Sequence, residues 1–442
     1  MNESHKAFPI VNPQGTDYEM LTLLQLETFE YFLSQVNPSN GLISDKTQPG
    51  SPSSIAAIGI GISCYIVGLE KGWISKRDFR NRILTLFRFL FNSHQGPEAD
   101  ATGYKGFYYH FLDMKTGKRA WKSELSTIDT AILMAGILTV DQYFCEENNE
   151  EDEIRQLAKK LYLRVDWQWA LNGGVAICHG WKPETGFLDF KWDKEYSEAM
   201  ILYVLALASP TFPIARLNYT NWISTFKCEK FYDIEYLHAG PLFIHQMSHL
   251  WIDFRKIHDV FNKEVGFDYF ENSRRATQIQ QLYAIENPNN FVNYGENNWG
   301  FTASDGPGPA ILEINGKNII FYDYIARGVP NSPDDGTISP WAVVASLPFC
   351  PEIVIKTIRH AIERLDLKKH GDGFDASFNH TFPEKNDKKN GWVSTWKYGI
   401  NQGPIIIMIE NYQTDLIWNI MRQCPFIKNG LERAGFTGGW LC

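Results

Sequence analysis

Two stretches place carboxylates directly ahead of helical segments that have no polar face to receive them. Ser123-Glu124-Leu125-Ser126-Thr127-Ile128-Asp129 runs into Thr130-Ala131-Ile132-Leu133-Met134-Ala135-Gly136-Ile137-Leu138, and Tyr196-Ser197-Glu198 runs into Ala199-Met200-Ile201-Leu202-Tyr203-Val204-Leu205-Ala206-Leu207. A helix that is apolar all round is a buried helix. An ionisable group at its first turn then stands at the edge of a desolvated interior, where a carboxyl pKa rises toward values useful for proton transfer. Glu198 is expected to act as a general acid that delivers its proton to a leaving oxygen. The plainer alternative is a first-turn glutamate favoured by the helix dipole. Glu124 and Asp129 are candidates for the partner carboxylate. Ser126-x-x-Asp129 also fits a capping box with aspartate in the usual Glu/Gln place, which accounts for Asp129 without chemistry. Glu124 precedes the cap and is free to point into a cleft.

Other constellations carry weaker signals. Asn297 to Gly308 combines Trp299, Asp305 and several glycines, a mixture that holds sugars by an aromatic face and by hydroxyl hydrogen bonds; Asp305-Gly306 equally fits an Asx-turn. Arg274 and Arg275 could clamp a carboxylate, and paired arginines in an acidic chain are more often structural. His245 and His249 have the i, i+4 spacing of a helical metal pair, but lack the Glu of the zinc-protease motif and a third ligand, so they read as core or cleft-edge histidines. Asp372-Gly373-Phe374-Asp375 is too short for a calcium loop. The chain contains neither a phosphate-cradling Gly-x-x-x-x-Gly-Lys-Ser/Thr motif nor a Gly-x-Ser-x-Gly elbow. No cofactor and no metal is expected.

The elements that must position these groups are helical. The 442 residues are 44% hydrophobic with a formal charge of −9, enough for a large core and unsuited to nucleic acid or an anionic membrane. Seven dispersed cysteines form no disulfide or zinc framework. The longest apolar run, Ile55 to Leu69, is too short to span a membrane. Met1 to Pro13 lacks a secretory pattern, so the chain as written reads as cytoplasmic, and a removed leader would make it periplasmic or exported. Residues 1–15 are expected to form an extended tail, and residues 1–442 one domain and a monomer.

Asp17 caps an amphipathic helix ending near Leu33, Ser53-Ser54 opens an apolar one, and Ser75 caps the next. The alternation continues with the apolar Asp129 helix, amphipathic Glu153 to Ala170, the apolar Glu198 helix, a polar-faced segment from Asn218 to Phe226 and a buried one from Pro241 to Trp251. Amphipathic Glu352 to Leu365 follows, and then an apolar helix that starts at Pro404. About twelve such helices in alternation describe six hairpins closing into an all-α, double-layered (α/α)6 toroid. Strand-like insertions are expected at Gly106 to Asp113 with Lys118 to Trp121 (a hairpin), at Leu188 to Trp192 and at Asn318 to Tyr322. Loops 294–309 and 327–340 are of a length that in a compact domain is usually functional or disordered.

Several segments, in order along nearly the whole chain, resemble the glycoamylase-like family of bacterial glycoside hydrolases, close to glycoside hydrolase family 144. They are Ser54 to Gly59, Gly103 to Phe111, Glu124 to Thr130, Tyr196 to Met200, Glu271 to Thr277, Gly300 to Pro307, Asp335 to Pro340 and Gln402-Gly403-Pro404. The resemblance implies an (α/α)6 barrel that cleaves β-1,2-glucan or sophoro-oligosaccharides with inversion. In that reading Glu198 is the proton donor, and Glu124 or Asp129 activates water. Trp299, Asp305, Tyr108, Trp396, Arg275 and Gln402 are expected to contact the neutral oligo- or polysaccharide substrate. Two positions depart from the family pattern: Ser197, where Asn or Asp is common, and Asn401, where Asp is common. The rival readings are a non-hydrolysing glucan-binding relative and a retaining transglycosylase.

Overall fold

Serine hydroxyls open the helices where the sequence places them. Ser54 Oγ accepts from the Ala57 N–H, Ser75 Oγ from that of Asp78, and Ser126 Oγ from that of Asp129, at 3.4, 3.1 and 3.2 Å. Each hydroxyl satisfies a donor that the first helical turn leaves unpaired. The computed structural model describes residues 16–314, 316–365, 373–383 and 391–442. The expected 1–15 tail and Asp372 lie outside the described residues.

In chain order the α-helices are α1 (Asp17–Ser34), α2 (Ile55–Glu70), α3 (Lys76–Asn92), α4 (Thr127–Tyr143), α5 (Asn149–Leu163), α6 (Met200–Ala208) and α7 (Arg216–Ile223). They continue with α8 (Val260–Val265), α9 (Tyr269–Glu286), α10 (Pro340–Ala345), α11 (Pro351–Arg364), α12 (Gly399–Thr414), α13 (Leu416–Arg422) and α14 (Pro425–Ala434). The inner ring consists of α2, α4, α6, α10 and α12. Its sixth place is taken by two 3-10 turns, Leu242–His245 and Met247–Leu250. Within the ring α2 packs on α4, α4 on α6, α10 on α12 and α12 back on α2. The 3-10 pair is tied to α6 by Ile201 N–H donating to Ser248 Oγ (3.1 Å), and to α10 by Gln246 Nε2 donating to the Ala342 carbonyl (2.7 Å). Outside lie α1, α3, α5, α7, α9 and α11. α2 is buried on every side from Ile55 to Gly68, whereas α3 buries Phe79, Ile83, Leu86 and Leu90 and turns its arginines outward. The (α/α)6 toroid read from the alternation is the fold. No described helix is long and apolar enough to cross a membrane.

Two inner helices touch backbone to backbone. A Cβ at Gly136 would lie 2.0 Å from the Gly59 carbonyl oxygen, and one at Gly59 would lie 2.4 Å from that of Ile132. Only glycine permits α2 and α4 to approach this closely.

The structure also corrects the sequence reading locally. Glu198 lies in a turn, two residues ahead of α6, not in its first turn. Pro404 sits inside α12, which starts earlier at Gly399, where it has no N–H to offer the carbonyl of Ile400. Pro241 to Trp251 forms two 3-10 turns, in which the Gln246 and Ser248 side chains hydrogen-bond to the backbone of neighbouring helices. Leu188 to Trp192 is not a ladder strand beyond one bridge from Lys191 to Cys178. The expected hairpin is present at 111–120, closed by Asp113 N–H to the Lys118 carbonyl (2.7 Å), and the strand expected at Asn318 to Tyr322 appears as Lys317–Phe321, paired in a second hairpin with Ala310–Ile314.

The second hairpin belongs to an insertion whose ends are stitched together by Ala303–Ser304 pairing with Ile325–Ala326. Beneath it Arg327 forms a forked pair with Asp335 (2.8 and 2.9 Å), both essentially inaccessible, and also donates to the carbonyls of Ser304, Tyr322 and Asp323.

Candidate active site

Every inner-ring element delivers residues near its N-terminal end to one cavity of about 670 Å³. Ser54 comes from α2, Ile128 and Asp129 from α4, Glu198 from the turn before α6, Phe243 and Met247 from the 3-10 pair, Trp341 from α10, and Ile400 and Asn401 from α12. Converging helix N-termini give this end of the ring a positive bias that favours carboxylates. Loops complete the wall with Asp45 and Lys46, His110 and Phe111, the insertion's Ala303, Asp305, Asp323 and Tyr324, and the aromatic run Trp392, Trp396 and Tyr398.

Glu198 lines the cavity from the turn ahead of α6, half-buried. Burial, with a smaller push from the charge of Asp129, raises its carboxyl to about 7 against a hydrogen bond from its own backbone. Such a group holds a proton near neutrality and can still release it. Ser248 Oγ fixes the turn by donating to the Glu198 carbonyl (3.0 Å).

Asp129 does two things at once. Its N–H is capped by Ser126 Oγ, and the same hydroxyl donates to Asp129 Oδ2 at 2.5 Å, while the residue also lines the cavity. The cap and the wall position therefore coexist. Glu124 is held one layer back, off the cavity wall, by His110, whose Nδ1 lies 3.0 Å from Glu124 Oε1 and whose Nε2 lies 3.6 Å from Asp129 Oδ2.

His110 falls within the Gly103 to Phe111 segment, and sequence reasoning does not single it out. Burial alone pulls its imidazole down, but Asp129, Glu124 and Asp45 outweigh that and lift it to about 9. At neutral pH it is an imidazolium bridging two carboxylates. Burial works against the charge of Glu124, yet the His110 hydrogen bond and charge hold its carboxyl below the usual range. Asp45, also missed, is pushed by burial to about 6, with His110 and Lys46 pulling down and Asp129 pushing up.

Of the expected substrate contacts, Asp305 and Trp396 line the cavity. Asp305 Oδ2 accepts from Ser394 Oγ at 2.7 Å. Four others lie elsewhere. Trp299 is fully buried with its indole donating to Thr357 Oγ1 (3.0 Å). Tyr108 is fully buried, donating to the Leu90 carbonyl (3.0 Å) and hydrogen-bonded to Arg164. Gln402 is buried against the Phe374 carbonyl, one residue past the wall. Arg275 pairs with Glu271 (2.8 Å) over the Phe267 ring, on an outer helix. Arg274 closes on the same Glu271. In each case core packing or a local ion pair uses the side chain the sequence offered to a ligand.

His245 and His249 are core residues on 3-10 turns. His245 Nε2 meets the Ala239 carbonyl and His249 Nε2 meets Ser273 Oγ, each at 3.0 Å, and burial lowers their pKa values to about 4 and 3.

Known proteins share this fold. The family model named Glycoamylase, described as "Putative glucoamylase", matches residues 189–425. A crystal structure under that description from Bacteroides uniformis is 31% identical over 97% of this chain and all of its own, with a TM-score of 0.85. An endo-β-1,2-glucanase from Chitinophaga pinensis, solved with sophorotriose and glucose, is 25% identical over 97% of this chain and all of its own, with a TM-score of 0.81. An exo-β-1,2-glucooligosaccharide sophorohydrolase (non-reducing end) from Parabacteroides distasonis is 29% identical over 95% of this chain, which spans 58% of that curated relative's length. The match covers more than half of the chain, and the resemblance read from its motifs is borne out: the chain belongs to the glycoamylase-like family.

Proposed function

We propose that this protein is a glycoside hydrolase that cleaves β-1,2-linked glucose chains with inversion, using Glu198 as the general acid. The observation that carries the reading is Glu198 itself, a cavity-lining carboxyl in the turn ahead of α6, desolvated and with the charge of Asp129 near enough to raise it. It protonates the glycosidic oxygen as the bond breaks. Asp129 is the wall carboxylate suited to take the proton of the attacking water, the paired-carboxylate logic of glycoside hydrolysis. Glu124 sits behind His110 and acts through it, by keeping the imidazole charged and oriented. Asp45, Asp305 and Asp323 offer acceptors to sugar hydroxyls, and Trp392, Trp396 and Tyr398 offer flat apolar faces. The β-1,2 linkage rests on what the named relatives act on.

The test is a panel of glucose oligomers of defined linkage, assayed for reducing ends with product anomers followed by polarimetry. Turnover of β-1,2 oligomers with inversion is expected. Activity confined to α-1,4 glucans overturns the linkage, and retention with growth of longer oligomers favours a transglycosylase. Binding without turnover makes the protein a glucan binder.

A further inference from the structure

Trp121 is a large apolar side chain left 62% exposed just outside the cavity wall. Its exposure is built. Trp121 and the following Lys122 both adopt left-handed backbone (φ 52° and 50°), a conformation that bulky residues avoid and that persists only where the surroundings impose it. Arg119 imposes it. The Arg119 side chain is 2% exposed, and it donates to the carbonyls of Ser123 (2.6 Å) and Lys122 (2.8 Å). It also forks onto the Glu184 carboxylate (2.6 and 3.0 Å) and lies over the Tyr109 ring at 4.8 Å. A loop pinned from beneath in this way presents its indole to solvent instead of folding it into the core.

The indole is also continuous with the site. Its ring lies 5.0 Å from that of Phe111, a cavity-wall residue, and Phe111 stacks on His110 at 4.0 Å and 13°. Aromatic faces thus run from open solvent down to the imidazole that bridges Glu124 and Asp129. We propose that Trp121 is an outer saccharide subsite, a platform for a pyranose of the same β-linked glucan chain beyond the sugars held in the cavity, and that it makes turnover depend on chain length. The inference rests on the hydrolysis proposed above. Its ligand chemistry follows from size and surroundings. Its neighbour in the chain is exposed Lys122, and Arg119, two residues back, holds the exposed Glu184; a single ring in such a setting lacks the contiguous apolar core of a protein interface. It does match a sugar, whose C–H face stacks on the ring while its hydroxyls meet the charged rim.

The test compares wild type, Trp121→Ala and Trp121→Phe on linear β-1,2-glucooligosaccharides of increasing length and on the polymer. For the shortest substrate turned over, kcat/KM is expected to stay within about twofold for both variants. For the longest it is expected to fall about five- to tenfold in Trp121→Ala and much less in Trp121→Phe, with a matching loss of affinity by calorimetry in a Glu198→Gln background. An equal loss at every length would mean that the ring only props His110 through Phe111, and would overturn the subsite. So would no loss at any length, or a wild-type dimer that Trp121→Ala dissociates without changing the length dependence. If wild type turns over another glucan and not β-1,2 chains, the hydrolysis reading fails separately. The same series on that glucan then decides the subsite by the same length criterion.

Discussion

Replacing Arg327 by methionine should unlatch the insertion that carries Asp305, Asp323 and Tyr324. The guanidinium is 1% exposed and its partner Asp335 is 0% exposed. Methionine retains most of the apolar stem but removes both bonds to Asp335 and those to the carbonyls of Ser304, Tyr322 and Asp323. Asp335 keeps only the N–H groups of Tyr322 and Thr337 (3.0 and 3.2 Å). Breaking one side of a buried pair costs about 3–5 kcal/mol, because the remaining charge stays desolvated. The assay pairs urea unfolding with limited proteolysis and kcat/KM. The expected result is a loss of about 3–5 kcal/mol, faster cleavage within 303–335, and reduced activity. Arg327→Met with Asp335→Leu should recover part of the stability. A single variant as stable and as protease-resistant as wild type would refute the reasoning.

Three further outcomes follow from local geometry. Gly136→Ala forces a methyl against the Gly59 carbonyl and should cost at least the about 1–3 kcal/mol typical of overpacking, read by urea unfolding; a neutral result would mean that α2 and α4 can separate freely. His110→Asn should lower stability by about 1–2 kcal/mol after screening at its partly open site. Because the His110 pKa is raised from 6.5 to about 9, its contribution is full below pH 6.5 and is lost as pH rises through 9, so wild type and variant should converge in unfolding free energy above that pH. Asp129→Asn removes a charge that lifts Glu198 while leaving burial, the larger cause, so the alkaline limb of its residual activity should move to lower pH yet stay well above 4.5; a limb moved upward would contradict the coupling.

What was legible in the sequence was whatever period and capping chemistry encode. The all-apolar stretches from Ile55 and Thr127 announce buried helices, Ser54, Ser75 and Ser126 mark their starts, and alternation with amphipathic helices gives the ring. Glu198 and Asp129 were visible because a carboxylate before an apolar helix conflicts with burial. Distinguishing among large polar and aromatic residues was not possible. Trp299, Tyr108 and Gln402 have the side chains of a sugar site, but tertiary contacts with Thr357, Leu90, Arg164 and Phe374 absorb them. Asp45, His110, Asp323 and Tyr324 reach the cavity from loops far apart in sequence, so no spacing rule links them. His110 did leave one trace, a titratable residue within the aromatic run Phe107-Tyr108-Tyr109-His110-Phe111. The helix starts at Gly399 and Met200 differ from the expected ones because Pro404 mimics a first-turn proline and because propensity does not reveal the turn ahead of α6.

The pH dependence of kcat/KM on a β-1,2-linked glucose oligomer, for wild type and Glu198→Gln, tests the central claim most directly. With Glu198 as the protonated acid, wild type should lose activity through an alkaline limb near pH 7. Below that limb Glu198→Gln should be slower by about 10²–10⁴-fold, and it should show no such limb, so the two rates converge at alkaline pH. A variant within tenfold of wild type below the limb, or one that keeps the same limb, would remove Glu198 as the acid.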